Sequence, residues 1–428
     1  MEIKSVEDLT PELFSKLLNE KWIRNDESDA PRATPIQVGS VSLERVNLGV
    51  LSQVYRVHLQ YKDTSKNSSS KFPPKDWLVK LCRPDLNLSW MSLNEAIFYE
   101  RIAPQFLQVV TANSHNMSLP FSVPPFLSGD EYHVILQEIM NVERIPLMNG
   151  CPSGKIPILL QCLASLHAKF WISHDCPQTN VVHDLLVFPP GMGQRLHPLQ
   201  KEGLFVSSWN ETLEYIQFDA EKDADTIQFI TVLCEQLENL KLRSLHSQVH
   251  QHRVTLVHGD FHVGNCLFPK IGSGTDESKL VLVDWAAAGF GNPMIDFAFF
   301  LVASTNDQVV SKSQQYLKCY HQLLLHHRPE LAARVPLQPL QEWFALALLC
   351  QWTILVAYDG VCRHIAGSES DKEKRDAQFK HFRDVNRRAV LAMNSIDNWK
   401  EVLSMLEPAT DQDKEEAQTF CNKTALEI

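Results

Sequence analysis

The alternation of apolar and polar residues changes character twice along the chain. "TPELFSKLLNEKW" carries an apolar stripe at helical spacing. The polar connector behind it contains Pro31, so residues 1–34 predict one helix and a link. From Val38 short runs rich in β-branched residues take over: "VSLERVNLG", "QVYRVHLQY" and "WLVKLC" read as strands. The insert "KDTSKNSSSKFPPKD" (62–76) is too hydrophilic and too Pro-marked to pack, and reads as a loop. A helix is expected at about 92–103, and "EYHVILQEIM" (131–140) as a strand. Helical patterns then dominate, at 156–172, 208–242, 295–304, 310–327, 339–358 and 372–405. A β-rich hairpin over 256–285 interrupts them, and no internal repeat is evident.

This pattern describes an α+β chain of two lobes, a small antiparallel-sheet N-lobe and a mainly helical C-lobe. Four segments are expected: a helix and connector (1–37), the N-lobe (38–136), a hinge with the helical lobe (137–407), and an acidic, flexible tail (408–428). A length of 428 residues suits two lobes better than one core.

Composition narrows the function. The net charge of -11 argues against a nucleic-acid or anionic-membrane binder, because both need a basic face. It leaves room for a phosphate compound held locally by one Lys and a metal. The N-terminus has no basic stretch leading into an apolar run, so no signal peptide is expected. "WFALALLCQWTILVAY" (343–358) is short for a span and contains Gln351, which reads as a buried helix. Ten scattered cysteines without a C-x-x-C pair suit reduced thiols and a cytoplasmic location. The N-x-S/T triplets are then chance occurrences.

The chemistry concentrates in "VHGDFHVGNCLF" (257–268). Asp260 and Asn265 stand at the D-x-x-x-x-N spacing of kinase catalytic loops, where the Asp accepts a substrate hydroxyl proton and the Asn holds a metal ion. Further on, the apolar run "LVLVDW" ends in Asp284, a rigid way to present a carboxylate to Mg²⁺. Each of these residues alone is an ordinary turn or strand-end residue. Their order and flanking strands make the functional reading the stronger one.

"HGDFHVGNCLF" followed by "VDWAAAGFGNPMIDFAFFL" resembles the aminoglycoside phosphotransferase and choline kinase superfamily, including the ecdysteroid-kinase-like small-molecule kinases. The resemblance covers about residues 38–360 and implies a two-lobed protein-kinase-like fold. It implies Asp260 as catalytic base, and Asn265 and Asp284 as Mg²⁺ ligands. His258 and His262 are then loop-orienting residues, and Asp296 has two compatible roles, capping its helix and supporting the loop.

The nucleotide side has three parts. Lys80 lies in "WLVKLCRP", and is either an edge-strand lysine with its head in water or the phosphate-binding lysine. Glu95 fits an S-x-x-E capping box with Ser92, yet shares a helix face with Phe98, Tyr99 and Ile102, where a carboxylate needs a cationic partner. These stretches resemble the family's "V-K-x-x-P" strand and "E-x-x-F-Y" helix, which favours a Lys80–Glu95 pair. The phosphate loop "NLGVLSQVYRV" (47–57) has Gly49 alone where many kinases have several glycines, with Ser52 and nearby N–H groups available to phosphate. "GCPSGKI" (150–156) fails as a Walker A loop by its glycine spacing and by Ile156 after the Lys. Main-chain groups near Gln137, Glu138 and Met140 would pair with adenine.

The expected activity is ATP- and Mg²⁺-dependent phosphoryl transfer to a hydroxyl of a small molecule. The alternative is a nucleotide-binding scaffold without catalysis. A protein kinase is disfavoured by the absence of H-R-D, D-F-G and A-P-E motifs. His167 reads as a core histidine, and His246 and His250 as a solvated face. Trp352, Tyr358 and Asp359 read as core packing, with walls of an acceptor pocket as the second reading.

Overall fold

The computed structural model describes residues 3–21, 35–46, 52–62, 73–83, 89–107, 119–172, 204–216, 223–238, 240, 245, 249, 254–270, 279–367, 371–397, 399–406, 408 and 410. Its strands are β1 (Val38–Val46), β2 (Ser52–Tyr61), β3 (Asp76–Cys82), β4 (Phe121–Ser122), β5 (Phe126–Gly129), β6 (His133–Gln137), β7 (Val142–Arg144), β8 (Thr255–Val257), β9 (Cys266–Pro269), β10 (Leu280–Leu282) and β11 (Gly289–Gly291). The class is α+β, antiparallel sheet in the N-terminal region and helical in the C-terminal part. Contacts divide the chain into two compact units. The first holds the described residues up to Arg144 together with Cys266–Ala288, and the second holds the other described residues.

In the first unit a five-stranded antiparallel sheet runs in the order β1-β2-β3-β6-β5. The helix Pro11–Lys21 lies against it. Thr10 Oγ1 accepts from Leu13 N–H at its start, and Pro11 occupies a first-turn position where no N–H is missed. Its apolar stripe of Leu13, Phe14, Leu17 and Leu18 joins Val57, Leu59, Trp77 and Ile135 in one core. Asn19 fixes the seam by exchanging two hydrogen bonds with the Ile36 main chain.

A second sheet, β4-β10-β9-β7, completes this unit, with β10 parallel to β4 and antiparallel to β9. The hairpin expected over 256–285 therefore divides. β9 and β10 form the hairpin, whereas β8 pairs with β11 in the second unit. The cause is the turn after β8: Gly259 takes a φ of 78°, and the 3-10 turn Val263–Asn265 redirects the chain before β9 begins.

The second unit packs the helices Ile156–Lys169, Leu204–Ile216, Ala224–Glu238, Met294–Ser304, Ser313–His327, Leu337–Gly367 and Lys372–Asn394. In the pattern expected at 208–242 the described residues form two helices, Leu204–Ile216 and Ala224–Glu238, and residues 217–222 lie outside the described ones. The pattern at 372–405 breaks, at Ser395, before a short helix Trp399–Ser404. The apolar stretch 343–358 belongs to the longer helix Leu337–Gly367. Its Leu337–Val356 part is long and apolar enough to cross a membrane, with 61% of that window buried in protein. Trp352 packs edge-on to Trp209 at 5.4 Å, so the core reading of this tryptophan is the one the structure shows.

A buried arginine closes the helix Met294–Ser304. Arg388 donates to the carbonyls of Val302 (2.7 Å), Thr305 and Ala303 (3.5 Å), covering acceptors that a helix end leaves without intrahelical partners. Arg388→Met keeps the bulk and removes the donors. It is expected to cost about 2–4 kcal/mol, since buried carbonyls then lack partners, as read from a urea unfolding curve.

Candidate active site

Strand β3 alternates buried and half-buried positions, and Lys80 takes a half-buried one between Val79 and Leu81. Its ammonium does not turn to water. Lys80 Nζ donates to Glu95 Oε2 at 2.6 Å and to Asp284 Oδ1 at 2.8 Å. Of the two readings of Lys80, the edge-strand one is excluded by these contacts.

Glu95 is 1% exposed on the helix Ser89–Ile97, with Phe98, Tyr99 and Ile102 buried beside it. That helix starts at Ser89, so Ser92 stands inside it and the capping-box reading falls. Beyond Ile97 the helix passes through a π turn, Phe98–Ile102, of the kind that recurs at functional sites. Burial pushes the Glu95 carboxyl up, with Lys80 opposing. Burial also works against the Lys80 charge, but Asp284 and Glu95 outweigh it and raise its pKa. The lysine stays an ammonium.

Asp284 follows β10 with a φ of 67°, a left-handed conformation that costs a non-glycine residue about 1–2 kcal/mol. Neighbours hold it there. Trp285 is fully buried and stacks on Phe98 at 4.1 Å, and Asn94 Nδ2 donates to the carbonyls of Ala286 (3.0 Å) and Ala288 (2.7 Å). Asp284 itself remains 42% exposed.

In the second unit Asp296 organises the loop of Asp260. Its two oxygens accept the main-chain N–H groups of His258 and Gly259, both at 2.7 Å. Its Oδ2 also lies 3.3 Å from His167 Nε2, and His167 Nδ1 meets Tyr320 Oη at 2.7 Å. Pro293 is the N-cap of this helix, so of the two readings of Asp296 the structure shows loop support. His258 is fully buried, with Nδ1 accepting from Asp260 N–H at 3.3 Å.

Asp260 is 38% exposed on its side chain. Asn265 Nδ2 donates to its main-chain carbonyl (3.0 Å) and to its Oδ2 (3.2 Å), while His262 Nε2 lies 3.6 Å from the same Oδ2. Burial would raise the Asp260 pKa, but His262, His258 and the Asn265 amide outweigh it and bring it to about 2. The carboxylate is ionised at neutral pH, with Oδ1 outside these contacts.

Asn265 spends its Nδ2 on Asp260 and so keeps an amide oxygen to offer. In the first unit the Asp284 carboxylate is likewise an oxygen donor, and oxygen donors are what a hard divalent cation takes. Among the described residues no three or more His, Cys, Asp and Glu side chains gather for a metal.

The remaining positions expected on the nucleotide side belong to the first unit. Ser52 opens β2 opposite Cys82, and Gly49 lies outside the described residues. Gln137 and Glu138 spend their N–H groups on the carbonyls of Pro125 (2.8 Å) and Asp76 (3.0 Å), and Arg56 Nε donates to both Glu138 carboxylate oxygens at 2.9 Å. Met140 is 62% exposed. His246, His250 and the 408–428 tail fall outside the described residues or at their margin.

The ecdysteroid kinase-like family model matches residues 49–332, about two-thirds of the chain. The chain belongs to this family. The family's matched span holds all the residues described above from Ser52 to Tyr320. No curated protein matches the chain. Among solved structures it is similar to a choline kinase from Cryptosporidium parvum (13% identity, 90% of this chain and 98% of that one, TM-score 0.43). It is also similar to an ethanolamine kinase from Plasmodium vivax (10%, 80% and 81%, 0.41) and to an ADP-bound aminoglycoside phosphotransferase (16%, 83% and 95%, 0.35).

Sequence reasoning missed Asn94 and the His167–Tyr320 backing of Asp296. A polar Asn inside an apolar helix face was a signal for the first. Nothing local ties residues 167 and 320 to residue 296.

The low pKa of Asp260 gives a direct test. His262→Ala is expected to raise it toward the ordinary carboxylate value near 3.9, followed by NMR of carboxyl-labelled aspartate. A depressed folded-state pKa stabilises the fold above the unfolded value and loses that contribution as pH falls through the folded one. The wild type should therefore lose stability between about pH 4 and pH 2 at this site, and the variant lose less. Partial exposure screens the size of the effect.

Proposed function

We propose that this chain transfers the γ-phosphoryl group of ATP to a hydroxyl of a small molecule, with Mg²⁺. Its family supports a small-molecule kinase, and the observation that carries the reading is the Lys80 ammonium held by buried Glu95 and by Asp284. A lysine kept charged and fixed in direction by a carboxylate is what phosphate binding requires. Lys80 would move its donors from Asp284 to phosphate oxygens while Glu95 keeps it aligned.

Asn265 and Asp284 would hold Mg²⁺, which when bound neutralises charge on the phosphates. Asp260 would accept the hydroxyl hydrogen on Oδ1 and orient the oxygen for attack, taking the proton late if the transition state is loose. Asn265 and His262, both on Oδ2, would fix the rotation of that carboxylate. A carboxylate of pKa about 2 is a weak base. Its contribution is then mainly orientation and a final sink for the proton, which positioning-dominated phosphoryl transfer allows.

With a metabolite extract and γ-labelled ATP as the source of acceptor, wild-type protein should yield a labelled small molecule. Asp260→Asn should cut that turnover by about 10²–10⁴-fold while ATP binding persists. Equal turnover in the variant would remove Asp260 from the chemistry. ATP binding with no labelled product from either protein would instead support a nucleotide-binding scaffold.

A further inference from the structure

We propose that Tyr99 positions the Lys80–Glu95 pair, its hydroxyl holding through one buried water the Glu95 oxygen that Lys80 does not take. What this does for phosphate binding rests on the phosphotransferase reading; the contact itself does not.

The register of the five-stranded sheet locates the two side chains. Lys80 pairs with Val134 and Val134 with Gly129, so one row crosses β3, β6 and β5. A Cβ on Gly129 would lie 2.8 Å from Ala96 Cβ, and Glu95 meets Lys80, so the helix Ser89–Ile97 crosses the sheet on that row. Leu78, Leu136 and Phe126 form the next row, and Tyr99 stacks on Phe126 at 5.8 Å. Glu95 and Tyr99 thus stand over adjacent rows, four residues apart on one helix face. Side chains on a helix lean toward its N-terminus, which sends the longer Tyr99 back toward Glu95.

Their polar atoms are complementary. Glu95 Oε2 takes Lys80, whereas Glu95 Oε1 and Tyr99 Oη are buried and have no hydrogen-bond partner among the described residues, each other included. Two such atoms in one place are costly unless something joins them. One is a carboxylate acceptor. The other is a hydroxyl that burial, and then the Glu95 and Asp284 charges, keep protonated and so a donor. A water accepts from Tyr99 and donates to Glu95, and buried waters sit where at least two polar groups converge. Lys80 and the Trp285 N–H favour the ionised Glu95 carboxylate, but neither bonds Oε1. Without a hold on Oε1 the carboxylate turns about its last torsion, which is a soft one. Held at both oxygens, Glu95 keeps the ammonium aimed when Asp284 gives it up to phosphate.

A crystal structure of the full chain, and titration calorimetry of Tyr99→Phe, which keeps the ring and removes the hydroxyl, test this. Electron density should show one water about 2.5–3.0 Å from both Tyr99 Oη and Glu95 Oε1. In Mg²⁺ buffer Tyr99→Phe should bind ATP about 3–10-fold more weakly, the size of one hydrogen bond, and adenosine within about twofold of wild type. A dry gap between the two atoms overturns the proposal. So does an unchanged ATP affinity, or an equal loss for ATP and adenosine, the mark of a tyrosine that only packs. Wild type that binds no adenine nucleotide overturns the phosphotransferase reading instead, and the electron density still decides the Tyr99–Glu95 contact.

Discussion

A single ammonium group joins three parts of the first unit that are remote in sequence. Lys80 comes from the middle of β3, Glu95 from the helix that follows, and Asp284 from the end of β10. Removing one partner of such a buried pair typically costs about 3–5 kcal/mol, because the other charge is left without compensation. Glu95 is the deeper of the two carboxylates, and Asp284 the more open one. That asymmetry divides their work: one holds the lysine in place and the other can release it to a ligand. Phosphate binding is the use of a lysine that such an arrangement fits.

Both candidate loops use backbone that side chains must hold. Asp284 adopts a left-handed conformation, kept by the Asn94 amide on the carbonyls behind it and by Trp285 on Phe98. Gly259 adopts another, kept by the two oxygens of Asp296 on consecutive N–H groups. In each case a buried polar side chain fixes peptide orientation, and the nearby carboxylate, Asp284 or Asp260, inherits its direction from the peptide. The supporting residues are as much a part of the arrangement as the groups they aim.

The strands of the first sheet, the local grouping of Asp260 with Asn265 and the Lys80–Glu95 pair were legible because each leaves a local trace. β-branched alternation marks β1 to β3, and a carboxylate on an apolar helix face marks Glu95. Connections that depend on distant pairing left none. Nothing in "LVHGD" says that β8 pairs with β11 and leaves the β9–β10 hairpin to the first unit; a single glycine with positive φ decides it. The helix end within 372–405 was hidden because polar residues at helical spacing look alike in a turn and on a solvated face. Asn94 and Arg388 satisfy carbonyls, and main-chain carbonyls carry no identity in a sequence.

The family's matched span begins at residue 49, after both the helix Pro11–Lys21 and β1. Yet Phe14 and Leu18 are fully buried against Val57, Leu59 and Trp77, Ser15 Oγ accepts from Val38 N–H at the start of β1, and Asn19 holds the Ile36 main chain just before it. A recombinant protein trimmed to the conserved-looking boundaries would lay bare one whole side of its principal sheet, an aggregation liability in water. Boundaries drawn from likeness and boundaries drawn from solubility do not coincide in this molecule.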